Sequence, residues 1–237
     1  QTSASSLEAL YRPAVVLALP FGYRDDAHFR GVIKSDLGKD LYEDMRQKIN
    51  VRILTTIFQP ASQMTSNKPV RSFDDMKGLK LRVPPVAVWQ AFWRHVGVSP
   101  TPIDFSELYT SLQTGVVDAQ ENPVVNIYNG KLHEVQKYLS LSGHVYAPAY
   151  LVAGKRKWER LPEDIRKALE EAARETQADV YAATDRMEGD LLEKIKAAGV
   201  QVNEVDKDAF IAASGPIYEE FGSSVQGAKP LVDKAIA

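Results

Sequence analysis

The side chains best suited to acid–base chemistry do not form a recognisable catalytic set. Asp118 and Glu121 lie three residues apart and are candidates for an acid/base pair, although a turn after a strand is the simpler interpretation. The four histidines lack the H-x-x-x-H spacing of a metal site: His28, His95, His133 and His144. The chain has no Cys, which excludes disulfides, thiolate metal sites and cysteine nucleophiles.

Phosphate-binding motifs are also missing. No G-x-G occurs among the 14 glycines, so the dinucleotide fingerprint is absent. Residues 222–227 have the glycine spacing of a P-loop, but Ala228, Lys229 and Pro230 follow where Lys-Ser/Thr is required. With 29 Lys+Arg against 31 Asp+Glu, the net charge of −2 also argues against a nucleic-acid-binding protein.

Arg82 is the most interesting charged residue that remains. Residues 79–83 alternate Leu, Lys, Leu, Arg, Val, which predicts a strand with one apolar face and with Lys80 and Arg82 on the other. On this spacing Arg82 is a surface residue. An arginine near the end of a strand is, however, also well suited to hold a carboxylate through two parallel hydrogen bonds.

The elements that position these residues alternate between strand-like and helix-like segments, which predicts an α/β protein with mostly parallel pairing. Residues 14–19 and 51–58 are predicted as strands, and residues 116–118 as a short one. Residues 25–49 are predicted as helix, with a break near Gly38. The polar segment 59–70 has no apolar periodicity and is predicted to cross outside the core.

Further helices are indicated by caps and periodicity. Ser72 and Asp75 resemble a capping box, and residues 86–96 form an amphipathic helix with Trp89 on its apolar stripe. Ser106 is predicted to cap a helix that ends at Gln113, and residues 123–141 are predicted to be mostly helical. The longest periodic segment, residues 162–198, predicts a helix that either kinks near Gly189 or spans two lobes.

Several motifs follow one another in the order and spacing of a known family. They are GLKLRVP at 78–84, GVSPTP at 97–102, FSELY at 105–109, LQTGVVDAQENP at 112–123, EVQKY at 134–138 and WERLP at 158–162. Together with His144 they resemble the substrate-binding proteins of tripartite ATP-independent periplasmic (TRAP) transporters, the DctP-like family. The resemblance covers essentially the whole chain.

The resemblance implies a ligand site. Arg82 matches the arginine that forms a salt bridge with the ligand carboxylate, and Asn122 matches the amide that bonds the same group. Phe105 matches an aromatic residue that packs on the apolar body of the ligand, and His144 a position near the cleft that acts through water. Ser62 stands where many relatives have a second arginine, which favours a monocarboxylate over a dianion.

Three further aromatic residues are candidates for the cleft: Trp89, Tyr146 and Phe21. The periodicity of residues 86–96 also permits Trp89 to be a core residue, and this interpretation is the simpler one.

The resemblance also implies a two-lobed α/β periplasmic binding protein. We expect residues 1–59 and 148–187 to form the N-terminal lobe, and residues 60–147 and 188–237 to form the C-terminal lobe that carries Arg82. The long helix would cross both lobes. The family captures organic acids by lobe closure in the periplasm and delivers them to membrane permease subunits. We expect a monomer that needs no cofactor, binds no nucleic acid and is not embedded in the membrane.

Two other functions stay open. One is a sensory module that binds an organic acid, and the other is an enzyme that uses Asp118, Glu121 and His144 as acid/base groups. Compared with the family, the chain begins after the first strands and helix of the N-terminal lobe. We therefore expect the 237 residues to be part of a longer mature chain.

Overall fold

The structure, a computed structural model, describes residue 7 and residues 10–57 and 59–236. Its helices are α1 (Asp26–Lys34), α2 (Asp36–Lys48), α3 (Phe73–Met76), α4 (Ala87–His95), α5 (Phe105–Gln113), α6 (Val124–Asn129), α7 (Lys155–Trp158), α8 (Glu163–Ala197), α9 (Lys207–Ser224) and α10 (Ala228–Ile236). Its strands are β1 (Val51–Ile57), β2 (Gln63–Ser66), β3 (Lys80–Val83), β4 (Ser99–Pro102), β5 (Ala119–Asn122), β6 (Tyr138–Leu141), β7 (Ala149–Gly154) and β8 (Gln201–Glu204).

The strands form two sheets. The larger has the order β4-β3-β5-β2-β6-β8, and the smaller pairs β1 with β7 antiparallel. In the larger sheet β3 is parallel to β4 and β5, and β6 is parallel to β8, but β2 runs antiparallel to both of its neighbours. The prediction of mostly parallel pairing holds for three of the six strand pairs in the described part of the chain, because β2 is inserted between the two parallel sets.

The larger sheet separates two apolar cores. Successive residues of a strand point to opposite faces, and the register aligns Arg82 with Gln120 and Gln120 with Thr65. These three residues and Asn122 share one face, which we call the amide face. Leu139, on the same face, belongs to the smaller core with residues of α6 and α8. The opposite face carries residues of the larger core, among them Leu81, Val83, Ala119 and Met64.

The long helix predicted for residues 162–198 is confirmed as α8, which has 35 residues and no break at Gly189. Its N-terminal half contacts β1 of the smaller sheet, where Gln177 Nε2 donates to Thr56 O at 2.7 Å. Its C-terminal half places Leu191 and Ile195 in the smaller core beneath the larger sheet. One helix therefore connects both sheets.

The predicted strand at residues 14–19 is wrong, because Arg12–Ala18 forms a 3₁₀ helix. No strand among the described residues pairs with this segment, so its backbone bonds locally, as from Ala14 N to Tyr11 O at 3.1 Å. Burial was indicated correctly, since Val16 and Leu17 are fully buried. A short apolar run indicates burial without distinguishing a strand from a helix.

The break in the helical segment 25–49 lies at Ser35 rather than at Gly38. The Ser35 N–H donates to Gly31 O at 2.9 Å and ends α1. Gly38 lies inside α2, where a Cβ atom would come within 2.1 Å of Ile33 O. This glycine allows the close approach of the two helices.

Segment 59–70 contains β2, so the prediction that it crosses outside the core is wrong. The strand lies in the interior of the larger sheet, and Thr65 and Ser66 are buried. The pattern hid it because, of its three buried side chains, only Met64 is apolar, and those of Thr65 and Ser66 bond to other polar groups.

Two other elements differ from the prediction, and two are found as predicted. The strand expected at 116–118 begins at Ala119, and residues 123–141 are helical mainly in α6, because 138–141 form β6 between β2 and β8. The strand predicted at 51–58 is found as β1, and its last predicted residue, Phe58, lies outside the described residues. The capping box is confirmed, with the Asp75 carboxylate accepting from Ser72 N at 3.1 Å. Within the described chain, no helix is both long and apolar enough to cross a membrane.

Candidate functional site

Arg82 is buried, with 3% of its surface exposed. Its Nε–H donates to Ile103 O at 2.8 Å, which ties β3 to the turn after β4. Burial lowers the pKa of the guanidinium below its ordinary value, and the carboxylates of Glu121 and Asp104 act in the opposite direction. Among the described residues, no carboxylate oxygen lies within 4.0 Å of it. The interpretation as a surface residue is wrong, because the smaller core covers this face of the sheet.

Asn122 ends β5 on the same face and is 8% exposed. Its Nδ2 donates to Gln120 Oε1 at 2.6 Å, and its Oδ1 accepts from Asn126 Nδ2 at 3.2 Å. Pro123 then turns the chain into α6. Arg82 and Asn122 therefore lie towards the carboxyl ends of two parallel strands, which is where α/β sheets bind ligands.

Phe105 is the first residue of α5 and is 48% exposed. Asp104, not the predicted Ser106, stands at the N-cap of this helix, because the helix begins two residues earlier than expected. The phenyl ring lies over Gly130, where a Cβ would come within 3.2 Å of Phe105 Cζ. The ring is thus next to α6, beside Asn126, and its apolar surface is available to a ligand.

His144, Ser62 and Phe21 are brought together by their backbones. The His144 N–H donates to Ser62 O at 3.3 Å, and Phe21 N donates to His144 O at 2.6 Å. The imidazole lies on the opposite face of the sheet from Arg82. There its Nε2 atom is 3.4 Å from Oε2 of Glu121, and its Nδ1 atom is 2.8 Å from Ser142 Oγ. His144 and Glu121 are both almost fully buried.

Tyr146 and Trp89 lie apart from Arg82. The Tyr146 ring stacks on Phe29 with centroids 5.2 Å apart, and burial raises the pKa of its phenol. Trp89 is buried, and its indole N–H donates to Ala18 O at 2.6 Å. Trp89 is therefore a core residue with its polar atom satisfied inside the protein.

A cavity of about 470 Å³ lies between residues assigned by prediction to different lobes. Phe21 and Tyr146 contribute aromatic surface, and Glu188 and Lys207 contribute opposite charges. Burial and the neighbouring carboxylates raise the pKa of Glu188 to about 7. The structure thus places the predicted site residues in two groups. Arg82, Asn122 and Phe105 form the first, His144, Ser62, Phe21 and Tyr146 form the second, and Trp89 lies in the core.

Comparison with known proteins decides the family. Residues 1–224 match the profile of the family described as bacterial extracellular solute-binding protein, family 7, or DctP. The sialic acid-binding periplasmic protein SiaP of Vibrio cholerae serotype O1 is 35% identical over 225 residues, which are 94% of this chain and 69% of the relative. The chain belongs to family 7.

Solved structures support the same conclusion. A TRAP periplasmic solute-binding protein of Chromohalobacter salexigens with bound D-glucuronate superposes with a TM-score of 0.95 at 30% identity, over 99% of this chain and 78% of that one. One from Polaromonas bound to D-erythronate gives 0.93 at 32% identity, over 100% of this chain and 78% of that one. The two-lobed α/β fold predicted for this family-7 protein is confirmed, whereas the exact lobe boundaries stay a prediction.

Three polar residues near Arg82 were missed by the sequence analysis: Gln120, Thr65 and Gln136. All are buried on the amide face or beside it, and they form hydrogen bonds with one another. Part of the signal was present, since Gln120 and Asn122 alternate on a strand and therefore share a face. The partners Thr65 and Gln136 lie 55 and 16 residues away in sequence from Gln120, so no local pattern joins them.

Proposed function

We propose that this family-7 protein binds an organic acid, with the carboxylate held by Arg82 and Asn122. The observation that carries the proposal is the buried guanidinium of Arg82, which has no carboxylate partner among the described residues. A buried cation without a counter-ion is costly, and an entering carboxylate would remove that cost. Because Nε is used by Ile103 O, the two terminal nitrogens are left to form the contact.

The relatives support this ligand class. SiaP is named for sialic acid, and the two solved structures hold D-glucuronate and D-erythronate, which are all carboxylic acids. For this chain we propose a monocarboxylate such as a hydroxy, keto, sugar or aromatic acid. Ser62, at the place of a second arginine in many relatives, spends its backbone N–H on Val145 O and its carbonyl on His144 N. It supplies no positive charge for a second carboxylate.

The biological role follows from the family. We propose that the protein works in the periplasm, closes its two lobes around the acid and delivers it to TRAP permease subunits. Capture by closure needs the ligand to bind the closed form better than the open form. The chain spans 69% of SiaP and 78% of the two solved chains, so these statements about the whole protein are proposals.

The alternative as an enzyme has less support. Asp118 Oδ2 accepts from Lys80 N at 3.1 Å at the start of β5, whereas Glu121 lies near the end of that strand, beside His144. The three candidate acid/base groups therefore do not converge on one position. A sensory role would use the same binding site, and no residue described here favours it over transport.

The test is a thermal-shift screen of monocarboxylates and C4 dicarboxylates. A ligand at a hundredfold excess over Kd should stabilise the fold by about 2.7 kcal/mol. Arg82→Met should remove the shift, and Arg94→Met, which changes an exposed arginine on α4, should keep it. Recovery of the acid unchanged after long incubation would support binding over catalysis. Binding that survives Arg82→Met would overturn the proposed carboxylate contact.

A further inference from the structure

Five polar side chains form a continuous row of hydrogen bonds that ends at the proposed carboxylate site. Thr65 Oγ1 donates to Gln136 Oε1 at 3.1 Å, and Gln120 Nε2 donates to Thr65 Oγ1 at 2.8 Å. Asn122 Nδ2 donates to Gln120 Oε1 at 2.6 Å, and Asn126 Nδ2 donates to Asn122 Oδ1 at 3.2 Å. We call this row the amide relay.

The direction of the amide relay is determined at its inner end. Gln136 Nε2 lies 3.1 Å from Val135 O and 3.5 Å from Asp118 O. Carbonyl oxygens only accept hydrogen bonds, so the NH₂ group of Gln136 must face them and its Oε1 must face Thr65. The hydroxyl of Thr65 then spends its single hydrogen on Gln136 and can only accept from Gln120.

The same logic continues to Asn122. Because Gln120 gives its NH₂ to Thr65, its Oε1 points to Asn122 and accepts from Nδ2. The Oδ1 atom of Asn122 therefore points to Asn126. One hydrogen of the Asn122 NH₂ group is used within the amide relay, and the other is left for a ligand. The backbone carbonyls of Val135 and Asp118 thus determine that Asn122 offers a donor.

We propose that Thr65, Gln120 and Gln136 are positioning residues that fix Asn122 as a hydrogen-bond donor and so make the site specific for a carboxylate oxygen. This inference rests on the proposed function and deepens it. An amide flipped by half a turn has almost the same shape, so packing alone does not choose its orientation. The wrong orientation would place a carbonyl oxygen against the carboxylate, and the hydrogen bond to a charged group would be replaced by repulsion.

Burial makes the choice strict. Thr65, Gln120 and Gln136 are 1%, 0% and 3% exposed, so water does not replace a lost partner. Flipping any one amide would set two acceptors or two donors against each other, and unmatched buried polar groups are costly. The relay therefore holds all of its amides in one arrangement before a ligand arrives.

The test uses Thr65→Val, which keeps the shape of the side chain and removes its hydroxyl, with Thr65→Ser as the matched control. Titration of the wild-type chain with an acid from the screen gives the reference affinity. Thr65→Val should weaken binding about tenfold, and Thr65→Ser should stay within about twofold. In an Asn122→Ala background, Thr65→Val should have no further effect, because it acts through Asn122. An equal loss in both backgrounds, or no loss at all, would overturn the proposal.

A second measurement does not depend on a ligand. Side-chain hydrogen exchange of Asn122 and Gln120, followed by NMR, should show protected NH₂ protons in the wild type and in Thr65→Ser. Thr65→Val, or Gln136→Leu if the valine variant does not fold, should make them exchange faster. Unchanged protection would contradict the relay. If the wild type bound no acid, the proposed function would fail, while the exchange experiment would still decide whether the relay exists.

Discussion

The two faces of the larger sheet hold their buried polar side chains in different ways. On the amide face, Arg82 has its Nε bonded to a backbone carbonyl and no carboxylate within 4.0 Å among the described residues. On the opposite face, His144 Nε2 and Glu121 Oε2 lie 3.4 Å apart, both almost fully buried. Glu121 and Asn122 are adjacent in β5, so a single strand presents one group to each face.

The difference separates a proposed binding group from a contact inside the core. The buried contact between Glu121 and His144 lies inside the packed protein, and removing either side chain would leave a costly cavity beside the other. A buried charge without a partner lowers the stability of the empty protein, and a ligand of opposite charge restores it. We therefore expect substitutions on the two faces to affect binding and stability in opposite proportions.

The largest effect is expected from Arg82→Met. The affinity for the acid should fall at least a hundredfold, or about 3 kcal/mol, because a desolvated charge pair is lost. The empty protein should be as stable as the wild type or more stable by about 1 kcal/mol, since an apolar side chain replaces an unpaired buried cation. Calorimetric titration and urea unfolding without ligand measure the two quantities.

The control for this prediction is Arg82→Lys. It keeps a positive charge but not the planar pair of donors, so affinity should fall by less than in Arg82→Met and the empty protein should gain no stability. A large loss of stability in Arg82→Met would mean that Arg82 is a structural residue.

The second prediction concerns the opposite face, where Glu121→Ala should show the reverse pattern. Removing the almost fully buried Glu121 side chain would leave a cavity beside His144 and should lower the free energy of unfolding by about 3 kcal/mol, whereas the affinity should change less than tenfold. Glu107→Ala, which changes an exposed glutamate on α5, should stay within about 0.5 kcal/mol in unfolding. If Glu121→Ala abolished binding as completely as Arg82→Met, the contrast between the two faces would be wrong.

The sequence predicted the elements with strong boundaries. The first turn of α8 is indicated by Pro162, Glu163 and Asp164 and its end by Gly199, so its extent could be predicted to within one or two residues. Arg82 shows what alternation leaves out. The pattern places it opposite Leu81, but it does not indicate that a second core, around Leu139, covers the other face of the sheet.

The amide relay could not be predicted for a related reason. Thr65 lies in a strand without apolar periodicity, because its burial is stabilised by hydrogen bonds to Gln120 and Gln136 instead of by apolar contacts. Hydrophobic patterns detect strands that bury apolar side chains. The proposed ligand contact of Asn122 was indicated by the family resemblance alone, and that of Arg82 also by the suitability of an arginine near a strand end for holding a carboxylate.

The half-buried carboxylate of Glu188, on α8, tests whether burial of a charged group has a measurable cost elsewhere in the molecule. Burial and the nearby Asp26 and Asp185 raise the pKa of Glu188 from its ordinary 4.5 to about 7, and Arg24 and Lys207 line the same cavity. The unfolded chain releases this proton at lower pH than the folded one. Stability should therefore fall as pH rises between about 4.5 and 7 and stay lower above that range.

Glu188→Gln should remove this part of the pH dependence. The variant should match the wild type near pH 4.5 and be more stable at pH 8. The difference should be only on the order of 1 kcal/mol, because solvent screens a half-buried group. Urea unfolding at several pH values measures the difference. Parallel curves for the two proteins would show that Glu188 titrates normally.

The smallest effect is expected from a substitution of Phe105. It tests whether this ring contacts the uncharged part of a ligand. The ring is 48% exposed in the empty protein. Its apolar surface contributes to binding only when a ligand covers it, and each 40 Å² so covered adds about 1 kcal/mol. Phe105→Ala should weaken binding of an acid with an apolar or ring-shaped body about threefold to tenfold. It should leave the affinity for a short acid such as glycolate nearly unchanged.

Val116→Ala is the matched control, because Val116 is an exposed apolar residue beyond the other end of α5 and is 56% exposed. It should change neither affinity. If Phe105→Ala weakened binding of short and long acids equally, the ring would act by holding the start of α5 beside Ile103 O, the acceptor of Arg82 Nε. In that case Phe105 would position the arginine, and the selection among acids would depend on other residues of the cleft.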